Sequence, residues 1–378
     1  PFLTSRPSAP PPCTNTRRCF FLYCGLSAYF FQAGTIVAEI HPPLSLSTCD
    51  ATGKCTSEAK SVTVDANWRW LEQEGSNCFT GNLWDNQTCP LTAEGATGCA
   101  AACSLEGADY EASYGITTDG DASMTMDFIT VNEYMKKLQR LGSGETLTNV
   151  GSRVYMMNSD DKYEMFYLKN KEFTFDVDTS QLPCGLNGAL YFVEMAEDGG
   201  LADYEGNNAG AQYGTGYCDA QCPHDLKFIN GEANVMDWVP SDTDPNSGTG
   251  HFGTCCFELD IWEANAVSQA YTPHTCSTVG QVRCEGAECG DIDDSNPDSR
   301  YQGLCDKDGC DFNPYRYKDE NFYGEGSNFA VDSSKPMTVV TQFVTSDGTD
   351  DGDLIDIKRV YIQDGKVFEQ PSVNIPEN

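Results

Sequence analysis

Apolar and polar residues alternate in short stretches along most of the chain from His41 onward. In "EFTFDVD", the side chains of Phe173, Phe175 and Val177 fall on one face of an extended strand, because successive strand residues point to opposite faces. The same alternation occurs in "KSVTVDANWRWL", "SRVYMM", "EMFYLKN", "ALYFVEM" and "MTVVTQFVT". Turn-rich loops separate these stretches without a strand–helix–strand rhythm, which predicts a large antiparallel β-sandwich.

Two stretches carry more specific local signals. "IKRVYIQDGKVFEQ" predicts two strands joined by a two-residue turn at Asp364 and Gly365, a dipeptide typical of tight hairpins. Residues 132–147, "NEYMKKLQRLGSGETL", show helical spacing and a Gly-Ser-Gly break instead, which predicts a helical surface insertion. The sequence contains no internal repeat and no long Ser/Thr/Pro-rich linker, so it gives no indication of a second module.

The chain is strongly acidic. Its 378 residues include 57 Asp and Glu against 23 Lys and Arg, which gives a formal net charge of −34. This charge argues against nucleic acid and anionic membrane surfaces as partners. It is typical of a soluble protein that faces neutral or cationic material.

Nineteen cysteines exceed the usage of cytosolic proteins and indicate an oxidising compartment with a disulfide framework. Three spacings suggest small closed loops: Cys49 with Cys55, Cys284 with Cys289, and Cys305 with Cys310. Structural zinc is the alternative, but the four histidines are scattered and paired Cys-x-x-Cys units are missing from the sequence. We therefore expect disulfides, no metal and no cofactor, and the odd number leaves at least one cysteine without a partner in the chain.

Residues 1–31 differ from the remainder of the chain. This segment begins at Pro1, contains Arg17 and Arg18, and continues with the apolar run "CFFLYCGLSAYFF" at residues 19–31. Basic residues before a short apolar run are typical of a signal peptide, and the run is too short to span a bilayer. A mistranslated upstream region is the alternative. We expect a secreted, extracellular protein whose single domain occupies residues 32–378.

The stretch "GTCCFELDIWEANA", residues 253–266, places Glu258, Asp260 and Glu263 close together. Paired carboxyl groups can cleave glycosidic bonds, because one protonates the leaving oxygen while the other attacks the anomeric carbon or activates water. Glu258 and Asp260 share a strand face, whereas Glu263 has the opposite parity and lies about 16 Å from Glu258 on an ideal strand. A catalytic cluster therefore requires a bulge or bend between Asp260 and Glu263. A charged edge strand in an acidic protein is the alternative that spacing alone leaves open.

Two tryptophans suggest a sugar-binding surface. In "NWRW", Trp68 and Trp70 fall on one face of a predicted strand and could stack on sugar rings, with core packing as the alternative. The Gly-rich segment "EDGGLADYEGNNAGAQYGTGYCDAQCP" contains no phosphate-binding motif.

"CCFELDIWEAN" resembles the catalytic signature of glycoside hydrolase family 7, which includes cellobiohydrolases I and endoglucanases I. Other segments are similar to the family in the same order: "VDANWRW", "FDVDTSQLPCGLNGALYFVEM", "YGTGYCDAQCPHDLKFINGEANV", "TPHTC", "CDKDGCDFNPYR" and "FYGEGS". The resemblance extends from about residue 32 to the C-terminus. It implies an all-β fold, a concanavalin-like β-jelly-roll sandwich of two large antiparallel sheets with long loops over a substrate groove, and hydrolysis of β-1,4-glucan with retention of configuration.

The resemblance also implies roles for individual residues. Glu258 would be the nucleophile, Asp260 its support and Glu263 the acid/base, and His274 matches a histidine near the acid/base. Ten further positions match groove residues that contact sugar: Trp68, Trp70, Asn187, Tyr191, Tyr217, Asp219, Gln221, Lys227, Arg316 and Arg359.

Seven disulfides follow from the resemblance: 49–55, 78–103, 89–99, 218–256, 222–255, 276–305 and 284–289. Cys184 and Cys310 have no partner in this set of disulfides. The family's catalytic domain continues past the position where this sequence stops, and the partners of both cysteines are expected in that part.

Two long loops bear on the mode of action. Residues 240–253 and 290–303 correspond to loops that roof the groove, and their length favours a processive cellobiohydrolase that releases cellobiose from reducing ends. An endo-β-1,4-glucanase of the same family, or a non-catalytic carbohydrate-binding protein on the same sandwich, are the alternatives. The expected partner is cellulose or another β-1,4-glucan chain, bound by a monomer, with no nucleic acid and no membrane involved.

Overall fold

The computed structural model describes residues 39–131, 148–293 and 295–370. These residues belong to one unit that begins at Glu39. The predicted signal-like segment at 1–31 and the predicted helical insertion at 132–147 lie outside the described residues, so both stay predictions, as does the domain boundary at residue 32.

Strands make up most of the regular structure in the described residues. The first part of the chain contains β1 (Pro43–Cys49), β2 (Cys55–Val64), β3 (Leu71–Gln73), β4 (Ser76–Asn77), β5 (Phe79–Thr80), β6 (Leu83–Trp84), β7 (Ser104–Leu105), β8 (Ile116–Asp119), β9 (Ser123–Met126), β10 (Ile129–Val131), β11 (Thr148–Val150), β12 (Val154–Ser159), β13 (Lys162–Tyr163), β14 (Glu172–Val177) and β15 (Gly188–Val193). The second part contains β16 (Phe228–Ile229), β17 (Glu232–Ala233), β18 (Val239–Pro240), β19 (Gly248–Thr249), β20 (Gly253–Cys255), β21 (Glu258–Ala264), β22 (Gln269–His274), β23 (Val282–Cys284), β24 (Tyr323–Gly324), β25 (Val331–Asp332), β26 (Met337–Thr345), β27 (Leu354–Gln363) and β28 (Lys366–Glu369).

Helices are few and short in the described part of the chain. They are α1 (Ala93–Ala102) and α2 (Tyr110–Tyr114), with 3₁₀ turns at 66–68, 211–213, 286–289 and 297–301. The side chain of Thr92 caps α1 and that of Asp109 caps α2, since each accepts a backbone N–H of the first turn. Neither helix has the length and apolar character that crossing a bilayer would require.

Two antiparallel sheets pack against each other and form the predicted sandwich. One sheet has the strand order β14-β26-β27-β28, and the other has the order β15-β21-β22. Ile261 and Trp262 of the second sheet pack in one buried cluster with Val339 and Tyr361 of the first. Burial of such side chains, worth roughly 25 cal/mol per Å² of apolar surface, is the main force that holds the sheets together. The predicted all-β sandwich is confirmed.

Several local predictions are confirmed as well. The strands β26 and β14 occupy "MTVVTQFVT" and "EFTFDV", and their side chains alternate in burial. The hairpin β27–β28 turns at Asp364 and Gly365, whose φ angles of 53° and 72° are the left-handed conformations that a type I′ turn requires.

One strand prediction was wrong, and another holds for only the first half of its stretch. In "EMFYLKN", the strand β13 ends at Tyr163 and residues 164–168 have no regular structure. In "KSVTVDANWRWL", strand β2 ends at Val64, and a 3₁₀ turn follows because the Asp65 carboxylate accepts the backbone N–H of Asn67 at 2.6 Å. Polar side chains that bind nearby backbone groups compete with strand formation, and apolar alternation does not reveal this.

Part of the space between the two sheets is open. A largely apolar cavity of about 720 Å³ is lined by residues that include Phe166, Leu190, Phe192, Phe343 and Ile357. The inner face of the sheet β15-β21-β22 is therefore packed along only part of its length.

All seven expected disulfides are present, and Cys184 and Cys310 are free and exposed. The small loop suggested for Cys305 and Cys310 is wrong, since Cys305 pairs with Cys276. Two adjacent bonds, Cys218–Cys256 and Cys222–Cys255, fasten the 218–222 loop to the chain just before β21.

The two kinds of disulfide loop should differ in their contribution to stability. Cys222 and Cys255 are 33 residues apart, whereas Cys49 and Cys55 are 6 apart. Chain entropy predicts that Cys222→Ala/Cys255→Ala lowers the free energy of unfolding by about 1.5 kcal/mol more than Cys49→Ala/Cys55→Ala does. Denaturant unfolding of the two double variants measures this difference, and equal losses would contradict the argument.

Candidate active site

The three acids of the 258–263 segment lie on one face of β21. Asp260 pairs with Thr272 of β22 and Glu263 pairs with Ala270, so three steps along β21 correspond to two along β22. Strand β15 shows the same shift on the other side. One extra residue reverses the strand parity, and Glu263 therefore joins Glu258 and Asp260 on the groove side. The predicted bulge is confirmed.

The bulge also places apolar side chains on the inner face. Ile261 and Trp262 are 1% and 2% exposed, and both belong to the core between the sheets. Because the bulge takes up one residue, Glu258 and Glu263 are separated by only four strand steps, or about 13 Å between their Cα atoms. Two glutamate side chains that lean toward each other along the strand can then bring their carboxyl groups close together.

Glu258 is the most perturbed acid of the cluster. Its Oε2 accepts the backbone N–H of Ala220 at 3.0 Å. Burial, followed by the charges of the neighbouring carboxylates Asp219 and Asp260, raises the pKa of Glu258 to about 8.

Asp260 faces His274 from the neighbouring strand. The His274 Nε2 lies 3.1 Å from Asp260 Oδ2, and its Nδ1 lies 2.8 Å from the carbonyl oxygen of Asp306. A carbonyl only accepts, so Nδ1 carries a proton. Burial opposes the charged imidazolium, but hydrogen bonds to Asp260 and Asp306 outweigh it and raise the pKa of His274 to about 9. His274 thus supplies a positive charge to the acid cluster at neutral pH.

A close backbone contact fixes the ring of His274. Gly309 has a φ of +64°, and a Cβ at this position would lie 2.7 Å from His274 Nδ1. Only glycine allows the chain to turn here so near the imidazole.

Glu263 has a separate partner. Asn187 donates its side-chain N–H to Glu263 Oε1 at 2.8 Å. Burial, followed by the charge of Asp260, raises the pKa of Glu263. The raised pKa favours a carboxyl group that retains its proton for donation.

A chain of hydrogen bonds runs beside Glu258. The hydroxyls of Tyr191 and Tyr217 lie 3.1 Å apart, and Tyr217 donates to the carboxylate of Asp219. Asp219 also accepts the backbone N–H of Gln221 at 2.7 Å, while the Gln221 side chain donates to the carbonyl of Lys307. The structure therefore brings these four predicted groove residues together next to the acid cluster.

Sequence reasoning missed Arg153. Its guanidinium lies 3.2 Å from the ring centroid of Tyr217 and 5.4 Å from that of Trp68, and it pairs with Asp65 at 2.8 Å. Strand alternation offered one signal, because Arg153 and Tyr155 share a face of the predicted strand and Arg153 Nε donates to the Tyr155 hydroxyl at 3.0 Å.

A pocket of about 270 Å³ is lined by Trp68, Trp70 and Lys227, and none of the three acids of β21 belongs to its lining. The strand that was expected to align the tryptophans is absent, since residues 66–68 form a 3₁₀ turn. Trp68 also packs against the Val64 cluster, so it serves both the core and the pocket. Lys227 donates to the carbonyl of Arg69 at 3.2 Å, and burial lowers the pKa of Lys227 to about 8.

The two arginines of the predicted set lie in different surroundings. Arg316 has a side chain that is 68% exposed and pairs with Asp311. Arg359 does not reach the groove surface. Its residue is 2% exposed, it donates to the carbonyl of Ile261, and its guanidinium lies 4.7 Å from the Tyr271 ring centroid. The reason is strand alternation, because Arg359 shares the inward face of β27 with Tyr361.

One set of acid-cluster atoms has metal-like spacing. Ligand atoms of Glu258, Asp260 and His274 lie within 4.8 Å of one another. A protonated imidazole has no lone pair for a metal, so the pairing of His274 with Asp260 fits an ion pair better than a metal site.

Comparisons with known proteins place the chain in a family. The model of glycosyl hydrolase family 7 matches residues 33–378. A family 7 cellobiohydrolase from Daphnia pulex is similar with a TM-score of 0.82 and 50% identity, over 91% of this chain and 74% of that one. A cellobiohydrolase from Melanocarpus albomyces, solved with cellotetraose, has a TM-score of 0.77 and 45% identity over 90% and 72% of the chains. The endocellulase EGI of Humicola insolens has a TM-score of 0.69 and 37% identity over 88% and 72%.

The raised pKa of Glu258 predicts a pH-dependent stability. Its ordinary value is 4.5 and its folded value about 8, so between these pH values the folded state binds more protons and the free energy of unfolding falls as pH rises. Replacing the acid by an amide in Glu258→Gln removes this loss. We expect the variant to exceed the parent by about 4 kcal/mol at pH 8 and to match it near pH 4.

Urea unfolding at pH 4, 6 and 8 measures this difference. Glu320→Gln, at an exposed position, is the control and should match the parent at every pH. A Glu258→Gln variant whose advantage does not grow with pH would show that burial does not perturb Glu258.

Proposed function

The chain belongs to glycosyl hydrolase family 7, and from this membership we propose that it is a secreted cellulase that hydrolyses β-1,4-glucosidic bonds with retention of configuration. The observation that carries the proposal is the bulge in β21, which turns Glu258, Asp260 and Glu263 toward one face. The similarity to cellobiohydrolases and to an endocellulase supports a β-1,4-glucan substrate. The seven disulfides support an extracellular location.

The two glutamates take different parts in the proposed reaction. Glu263 donates a proton to the glycosidic oxygen while Glu258 attacks the anomeric carbon, which forms a glycosyl–enzyme ester and releases the leaving sugar. A water molecule then attacks the same carbon and gives a proton to Glu263, and the bond between this carbon and Glu258 breaks. Asn187 orients Glu263 through its hydrogen bond of 2.8 Å.

Glu258 must be ionised to attack. The N–H of Ala220 and the charge of His274 both favour its ionised form, against burial and the carboxylates of Asp219 and Asp260. These groups exchange protons as one coupled cluster. Asp260 and His274 therefore act as positioning residues, and the positive charge of His274 offsets the negative charge of Asp260 next to the nucleophile.

The remaining groove residues would bind a neutral glucan chain. The Trp68 and Trp70 pocket offers aromatic surface, and Lys227 adds a donor there. Nearer the acids, Tyr191 and Gln221 present polar groups. Arg316, exposed and paired with Asp311, is the remaining candidate donor. The substrate is uncharged, so the protein's large negative charge does not repel it.

The loop 240–253 supports exo action as the finer proposal. Asn82 donates to the carbonyls of Ser241 and Asp244 at 3.0 and 3.1 Å, which ties the loop to the turn between β5 and β6. The loop 290–303 is tied down by His224, whose Nε2 lies 3.1 Å from Asp291. Anchored long loops favour a roofed groove and a processive cellobiohydrolase that acts from reducing ends as a monomer. Endo action, as in the 37% identical endocellulase, is the second candidate.

Variants of the two glutamates test the mechanism. Glu258→Gln removes the nucleophile and should lower kcat on aryl β-cellobiosides by roughly 10³-fold or more, whatever the leaving group. Glu263→Gln should lower kcat by roughly 10²- to 10⁴-fold with a poor leaving group. It should lower the glycosylation rate far less with 2,4-dinitrophenol, whose departure needs no proton.

Pre-steady-state release of the aryl group separates these outcomes, and proton NMR of the first-formed product reports its anomer. Glu320→Gln is the control. Undiminished turnover by Glu258→Gln, or an inverted first product, would rule out the proposed mechanism.

Shortening a roof loop tests the mode of action. Replacing residues 242–246 by two glycines shortens the loop and removes Asp244, one of the two residues that Asn82 holds, and a processive enzyme should then release less soluble sugar per new chain end on cellulose. The same shortening of the exposed loop at 347–351 should leave this ratio unchanged. A parent enzyme with a low ratio, unaffected by either deletion, would favour endo action.

A further inference from the structure

The bulge in β21 leaves one residue outside the sheet register. Asp260 and Glu263 have register partners on β22, and Leu259 and Trp262 have register partners on β15. Ile261 has no register partner on either of these two described strands, although it is 1% exposed. A buried backbone carbonyl needs a hydrogen-bond donor, because leaving it without one destabilises the fold. The bulge therefore calls for a donor from elsewhere.

That donor comes from the opposite sheet. The Nη2 atom of Arg359, in β27, donates to the carbonyl oxygen of Ile261. Arg359 is 2% exposed, and no carboxylate of the described residues pairs with its guanidinium. Burying a cation without a counter-ion costs free energy. The hydrogen bond to Ile261 and the neighbouring aromatic rings are the favourable contacts that this guanidinium makes.

The strand β27 contacts the surroundings of the bulge at further points. Tyr271 lies on β22 opposite the bulge, and its ring centroid is 4.7 Å from the Arg359 guanidinium. The Tyr271 hydroxyl donates to the carbonyl of Ile357 at 3.3 Å. The ring of Tyr361 packs against that of Trp262, with centroids 6.2 Å apart. Arg359 thus belongs to a set of contacts that joins the two sheets at this irregularity.

The two glutamates lie on opposite sides of the residue that Arg359 holds. Glu258 precedes the bulge and stays in register with His274. Glu263 follows the bulge, two residues after Ile261. The orientation of the peptide at Ile261 therefore determines where Glu263 lies relative to Glu258.

We propose that Arg359 is a positioning residue for the acid/base. By holding the carbonyl of Ile261, it fixes the bulge and thereby the distance between Glu263 and Glu258. The inference rests on the proposed roles of these two glutamates. Arg359 is buried and acts through the backbone, without touching the substrate. A displacement of about 1 Å in a catalytic group can cost roughly 10²-fold in rate.

The dependence of the rate on the leaving group tests this role. Arg359→Met removes the donor and keeps a long side chain in the core. We expect kcat/KM to fall roughly 10- to 100-fold for phenyl β-cellobioside but less than about threefold for the 2,4-dinitrophenyl compound, whose departure needs no proton. Arg359→Lys retains a donor on a long side chain and should recover part of the loss.

Lys358→Met, at the neighbouring exposed position of β27, is the matched control and should match the parent with both substrates. A loss of folded enzyme lowers kcat/KM equally for the two substrates, because it does not depend on the leaving group. An equal fall, or unchanged kinetics in Arg359→Met, would therefore overturn the proposal.

Hydrogen exchange examines the bulge without any turnover. We expect the amides of residues 258–264 to exchange roughly threefold faster or more in Arg359→Met, while those of residues 116–126, in another sheet, stay unchanged. Unchanged exchange in β21 would show that Arg359 does not hold the bulge. A parent that hydrolyses neither substrate would contradict the proposed function, and the exchange rates would still decide whether Arg359 anchors Ile261.

Discussion

The bulge between Asp260 and Glu263 is the constraint on which the site depends. A regular strand would turn either Glu263 or its two companions toward the core, where an unpaired carboxylate costs several kcal/mol. One extra residue removes this conflict, because Ile261 and Trp262 both turn inward and the acids turn outward. The core contact of Trp262 and the position of Glu263 are therefore two consequences of one backbone irregularity.

The electrostatics of the site follow from crowding and burial. Burial and the neighbouring carboxylates raise the pKa of Glu258, and the cation of His274, held by the Asp306 carbonyl, offsets part of the negative charge. The loop that carries Asp219 reaches Glu258 because the disulfides Cys218–Cys256 and Cys222–Cys255 fasten it there. Covalent links thus add to the packing of Cys218, Ala220 and Cys222, which are buried against the sheet.

Charge is distributed unevenly over the molecule. The surface as a whole is acidic, whereas the Trp68 pocket contains a lysine whose pKa is lowered by burial. A neutral glucan needs no electrostatic steering, so specificity depends on aromatic surface and on hydrogen-bond geometry. The Trp68 pocket shows these features, and none of the three acids of β21 lines it.

The sequence by itself determined the all-β class, the hairpin at Asp364 and the condition that an acid cluster would need a bulge after Asp260, because alternation and turn chemistry are local properties. The resemblance supplied the disulfide pairs and the roles of Glu258 and Glu263. Only the tertiary structure decided that Arg153 stacks on Tyr217, that Arg359 is buried, and that residues 66–68 turn. Those outcomes depend on which distant side chains meet across the fold, and no local pattern contains that information.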